Sequence, residues 1–143
     1  MDIELLVAFA LIYGALEFAY IKSTASFYGR NVRAVQGSDM VIDLGAAALA
    51  YLVLFVTVYF LVVRPIFRAT SPRAMPPLKD VLLTAAMTGL AVYGVYNLTN
   101  KATFKRYATA VAIADTTWGV VAICTVALAC YALKSWVLRS SAP

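Results

Sequence analysis

From Leu44 to Val63 the chain runs twenty residues without a single charged side chain. As a helix such a run is about 30 Å long, the thickness of the hydrocarbon core of a bilayer. Inside lipid a lone segment can satisfy its backbone N–H and C=O groups only by coiling into a helix. Three further runs share this character. Ile3 to Ile21 carries only Glu4 and Glu17, and Val81 to Leu98 is shorter and holds Thr84, Thr88 and Asn97. The last extends from about Ala108 to Leu133 and contains Asp115. Four such runs predict an all-α, integral membrane four-helix bundle, a single four-span domain over residues 1–143.

Composition agrees with lipid as the solvent. Hydrophobic residues make up 63% and charged residues 13%, against roughly 45–50% and 25% in soluble domains. A water-soluble chain this small exposes too large a share of its area to hide that much apolar surface. The first run does not read as a signal peptide. Its flank is acidic (Asp2, Glu4) where a secretory signal is basic, and no small-residue cleavage site follows.

The formal net charge of +5 resides almost entirely in the connections between the runs, where it suits anionic headgroups. Membrane lipids are therefore the first expected partners, followed by other membrane proteins or a second copy of the chain. Nucleic acid is not expected, because no basic face interleaved with aromatic residues exists. The chain lacks histidine, which removes the usual general base and the commonest metal and haem ligand together. Cys124 and Cys130 are six residues apart on one helix, so their thiols point to different sides and serve as small hydrophobes. No cofactor and no metal site is expected. No Ser or Cys is accompanied by a base at useful spacing, and no glycine-rich phosphate loop appears, so the expectation is not an enzyme.

The connections differ. Lys22 to Asp39 reads as a loop with a short interfacial segment, Phe27 and Tyr28 lying at headgroup level. Arg64 to Lys79 holds Pro65, Pro72, Pro76 and Pro77 and reads as a stiff, non-helical surface loop. Lys101 to Tyr107 is a short basic turn, and from Lys134 a brief tail follows with Trp136 as an interface anchor. Counted by side, Lys and Arg number six against six, so the positive-inside rule sets no orientation.

Small residues four apart, Ala10 with Gly14, Ala85 with Gly89 and Asp115 with Gly119, give helix faces that can approach closely. Tyr13-Gly14 precedes Glu17 by the same interval as Tyr93-Gly94 precedes Asn97, a similarity that suggests two parallel helical hairpins.

The polar residues within the spans fall at one end. Alternating crossings place Glu17, Asp43, Asn97, Asn100 and Asp115 on the side of the first and third connections. Asp115 lies roughly 10 Å and Glu17 roughly 6 Å below the interface at 1.5 Å per residue. An ionisable group at that depth is costly and faces the bundle interior. Glu17, Asn97, Asn100 and Asp115 thus form the candidate cluster, with Tyr13, Tyr20, Tyr93, Tyr96 and Thr99 near it. Two carboxyls close together in low dielectric would not both ionise freely, so the cluster could hold a proton or a cation. It could equally bind a lipid or small molecule. The structural alternative pairs the carboxyls with Lys22, Arg30 or Lys101, or bonds them to Asn97, Asn100 and tyrosine hydroxyls, which locks the bundle without chemistry. For Asp43 a capping role at the start of its span is favoured.

Tyr96-Asn97-Leu98-Thr99-Asn100-Lys101-Ala102-Thr103, followed by Asp115-Thr116-Thr117-Trp118-Gly119, resembles the signature of a predicted membrane protein family (domain of unknown function 2177). The resemblance implies a small four-span protein of a cell, organelle or virion membrane, from a family found in bacteria and encoded by algae and large DNA viruses. It implies no established activity. In the family pattern the position of Asn97 is usually Asp, and a Trp commonly follows the acidic residue of the first span. Here Asn97 cannot ionise and Glu17 is followed by Phe18, Ala19 and Tyr20. That departure favours a structural or accessory membrane subunit whose Glu17, Asn97, Asn100, Asp115 and, from the resembling stretch, Trp118 knit the helices together. The alternatives are a small proton- or cation-coupled transporter working through Glu17 and Asp115, or an accessory in lipid binding or modification.

Overall fold

The computed structural model describes residues 3–140; Asp2, part of the acidic flank, lies outside them. All regular structure among the described residues is helical. Four helices are long and apolar enough to cross a membrane: α1 (Ile3–Gln36), α2 (Leu44–Phe67), α3 (Leu78–Thr103) and α4 (Thr109–Ser140). They are the four expected spans, each longer than or equal to its apolar run.

The expected loop from Lys22 is instead helix. α1 has 34 residues, about 51 Å at 1.5 Å per residue, so it overshoots a ~30 Å hydrocarbon core by about four turns or crosses it at a tilt. No proline interrupts residues 22 to 36. The helix stops at Gly37, whose φ of 80° is left-handed and whose N–H returns to the Arg33 carbonyl at 2.9 Å. This is the ordinary glycine C-cap. Phe27 and Tyr28, expected at headgroup level, instead pack on Tyr107, Val111 and Ala112 at the start of α4.

The proline-rich connection is also shorter than expected. Asp43 caps α2, accepting the Ala46 N–H at 3.0 Å, and the helix continues through Pro65 to Phe67. A proline ring crowds the carbonyl four residues earlier and brings no N–H. The chain answers with a widened π turn at Tyr59–Val63, closed by the Arg64 N–H on the Tyr59 carbonyl. Residues 68–77 separate α2 from α3 and hold one 3-10 turn, Pro72–Ala74; α3 begins directly after Pro77. The expected tail from Lys134 is a continuation of α4, with Lys134 buried and Trp136 65% exposed.

α4 is the hub. It packs along α3 and α1, and it receives the last turns of α2. Near the second connection the core is largely apolar: Phe9 and Tyr13 meet Val58, Val62, Val63 and Ile66, Val81 and Ala85, and Ala122, Ile123, Val126, Ala127 and Cys130. Where lipid replaces water, close packing rather than hydrophobic transfer holds helices together. The helices approach closely at Gly89 and Gly119. A β-carbon on Gly89 would stand 2.6 Å from the Gly119 carbonyl oxygen, and one on Gly119 would stand 2.2 Å from the Tyr93 ring. Gly14 is different, since a β-carbon there makes ordinary contact with Phe55 at 3.8 Å.

At the opposite end the bundle opens. In the first half of α2, from Leu44 to Thr57, no residue is buried. That half-helix reaches the core through Leu54 and Phe55 and otherwise leaves a cleft against α1 and α3.

Candidate functional site

The buried face of α1 advances by fours through Leu5, Phe9, Tyr13 and Glu17, so the register of the apolar core carries a carboxyl inward. Glu17 is 5% exposed. Its Oε1 accepts the Tyr93 hydroxyl and the Trp118 indole N–H, both at 3.0 Å. Tyr93 lies within a second π turn, Leu90–Gly94, whose extra residue resets the face of α3. The hydroxyls of Tyr13 and Tyr93 meet at 3.5 Å. Because Tyr93 gives its one proton to Glu17, Tyr13 is the donor in that contact.

One turn above, Asp115 has its own donors. Asn97 Nδ2 reaches Oδ2 at 2.7 Å and the Tyr28 hydroxyl reaches Oδ1 at 2.9 Å. Tyr20 donates in turn to Tyr28 at 2.5 Å, and its ring stacks on Trp118 with centroids 4.2 Å apart and planes 5° from parallel. The two carboxyl systems are thus joined through the Tyr20–Trp118 stack.

Asn97 is fully buried and uses its whole amide. Its nitrogen also donates to the Tyr93 carbonyl at 2.8 Å, and its oxygen accepts the Tyr107 hydroxyl at 2.7 Å. An ionised Asp at 97 would oppose both the Asp115 carboxylate and a backbone carbonyl, so the amide suits this partner set. Tyr107 lies in the connection between α3 and α4, and burial pushes its phenol up to about 12. Asn31, on the extension of α1, accepts the Ala108 N–H at 2.8 Å and so helps start α4.

The cleft beside these groups has a volume of about 670 Å³. Glu17, Asp115, Tyr28 and Tyr93 form its polar floor; Ile21, Ala50, Leu54 and Val92 contribute to its apolar walls, and Tyr51 and Tyr96 also line it. Met40 and Ile42, from the exposed connection between α1 and α2, sit at its edge.

Not every candidate residue joins the cluster. Thr99 is exposed and offers only its carbonyl, to Thr103. Asp43 is an exposed helix cap. Asn100 is half-buried near Tyr107 and does not line the cleft. The expected cations are also elsewhere: Lys101 donates to the Tyr107 carbonyl at 2.7 Å, and Lys22 lies over the Phe18 ring at 5.6 Å. Among the described residues no Lys or Arg stands within ion-pairing distance of Glu17 or Asp115. Every buried side-chain polar atom among them has a partner.

Tyr28, Asn31, Tyr51 and Tyr107 escaped the sequence reading. Tyr28 had a signal, being eleven residues beyond Glu17 and therefore three turns along one helix face. Asn31, Tyr51 and Tyr107 had none, since each is brought in by packing between segments distant in sequence.

The family described as "Predicted membrane protein (DUF2177)" matches residues 3–132, a span that includes both stretches carrying the resemblance. No curated protein and no solved structure matches the chain.

Proposed function

The chain belongs to this family of predicted membrane proteins, and we propose that it is a non-enzymatic accessory of the membrane that holds one amphipathic, membrane-dissolved molecule in the cleft. The observation that carries this reading is the cleft itself. It has apolar walls, a floor of two carboxyls and tyrosines, and a side formed by a half-helix whose residues are nowhere buried. A volume of about 670 Å³ falls within the range of pockets that enclose small-molecule ligands. Apolar lining with a few convergent polar groups is the usual composition of such pockets. Membrane lipids and lipid-like molecules are the partners at hand.

Native mass spectrometry of the protein released from its membrane in mild detergent tests this. The wild type should retain one lipid-sized adduct. Ala50→Trp, which fills the cleft from its α2 wall, should lose it while keeping its helical content. A wild type without any adduct, and without uptake from added lipid, would refute the reading.

A second reading, a proton- or cation-coupled carrier, is favoured by one observation: both carboxyls receive only neutral donors. Flux into proteoliposomes that is abolished by Glu17→Gln or Asp115→Asn would support it over simple binding.

A further inference from the structure

The charge of the cleft specifies its occupant more narrowly than its shape does. Two carboxyl side chains, Glu17 and Asp115, line it, and no Lys or Arg does. The donors to these carboxyls are phenols, an indole and an amide, all neutral. Five tyrosines, at 20, 28, 51, 93 and 96, also line it, and the Tyr20 ring is backed by the stacked Trp118. Aromatic faces attract cations through their quadrupole, most strongly where water is excluded. An anionic head would be repelled by whichever carboxyl is ionised, and a neutral one would bring that carboxyl no counter-charge.

We propose that the occupant is a single-chain amphipathic amine, its ammonium head on the Glu17–Asp115 floor among the tyrosine rings and its alkyl chain along Ile21, Leu54 and Val92. This rests on the reading of the cleft as a ligand site and adds the sign of the ligand's charge. An ammonium supplies hydrogen-bond donors and a positive charge, and both carboxyls are acceptors. A volume of about 670 Å³ has room for one chain and a compact head.

The test compares three probes of equal chain length, hexadecylamine, hexadecanol and palmitate, against the purified full chain in neutral nanodiscs. Trp118 reports binding, because its indole donates to Glu17, and Trp136→Phe removes the other tryptophan, which is 65% exposed. The amine should bind at least about tenfold more tightly than the alcohol, equivalent to 1.4 kcal/mol, and palmitate more weakly still. In Glu17→Gln/Asp115→Asn the amine and the alcohol should bind alike. Equal binding of all three probes by the wild type, or a preference for palmitate, overturns the amine assignment and leaves the cleft as a lipid site. Binding of none overturns both. The comparison on the wild type decides the matter even if the double variant fails to fold.

Discussion

The Tyr93 ring lies against the bare α-carbon of Gly119, so close that a β-carbon there would fall 2.2 Å from two ring atoms. The same ring carries the hydroxyl that reaches Glu17 at 3.0 Å. Packing of α3 on α4 and placement of the carboxyl's donor are therefore one structural event. Gly119→Ala must displace Tyr93 or separate the helices, and overpacking of this kind costs about 1–3 kcal/mol. Gly89→Ala should act similarly, whereas Gly14→Ala should be nearly neutral. Unfolding in mixed detergent micelles, followed by far-ultraviolet circular dichroism, ranks the three.

Glu17→Leu keeps the bulk of the side chain and removes its acceptor. Tyr93 and Trp118 then lose the oxygen they share, at about 1–3 kcal/mol for each donor left unsatisfied. Glu17→Gln retains a carbonyl and should lose less. Trp118 emission, read with Trp136→Phe, should change in the Leu variant more than in the Gln variant. Equal effects would show that the shared oxygen does not organise the cluster.

Asn31 ties the extension of α1 to the first turn of α4 through the Ala108 N–H. Asn31→Ala should destabilise by about 1 kcal/mol, the usual value of a side-chain cap at a helix start. The loss should be local, so hydrogen exchange should quicken over residues 104–112 and stay unchanged around Val126.

Tyr107 titrates at about 12 in the fold because it is buried, and near 10 in an unfolded chain. Between those values the folded state holds the proton more tightly. The stabilising contribution is complete below pH 10 and is lost as pH rises through 12. Tyr107→Phe should flatten this part of the stability profile. An unchanged slope would mean that the alkaline loss arises elsewhere.

The fold was largely legible because span length and hydropathy answer to the bilayer and not to tertiary detail. Helix ends were less legible. Gly37, the true stop of α1, is a plain C-cap signal, but the polar composition of residues 22 to 36 reads as loop when lipid is taken as the only surroundings. Those residues are helical because Phe27, Tyr28 and Val35 have Tyr107, Val111 and Ala112 to pack against. Pro65 read as a loop marker, yet the π turn before it lets the helix continue. Within the cluster, Glu17, Asn97 and Asp115 were legible from depth and span alternation, and Trp118 from the stretch that carries the family resemblance. Tyr51 was not, since its place depends on how far α2 stands from α1.

The amino-acid order by itself determined four candidate spans and the end of the bundle at which the carboxyls sit, because both follow from the cost of polar groups in hydrocarbon at a known rise per residue. Only the tertiary structure decided which donors meet which carboxyl, and that these donors are neutral while Lys101 turns to the Tyr107 carbonyl. It alone decided that the first half of α2 leaves a cleft against α1 and α3. Those outcomes depend on helix rotation and separation, set by contacts such as Gly89 on Gly119 and by the two π turns, each of which shifts a helix face by a fraction of a turn that hydropathy does not register.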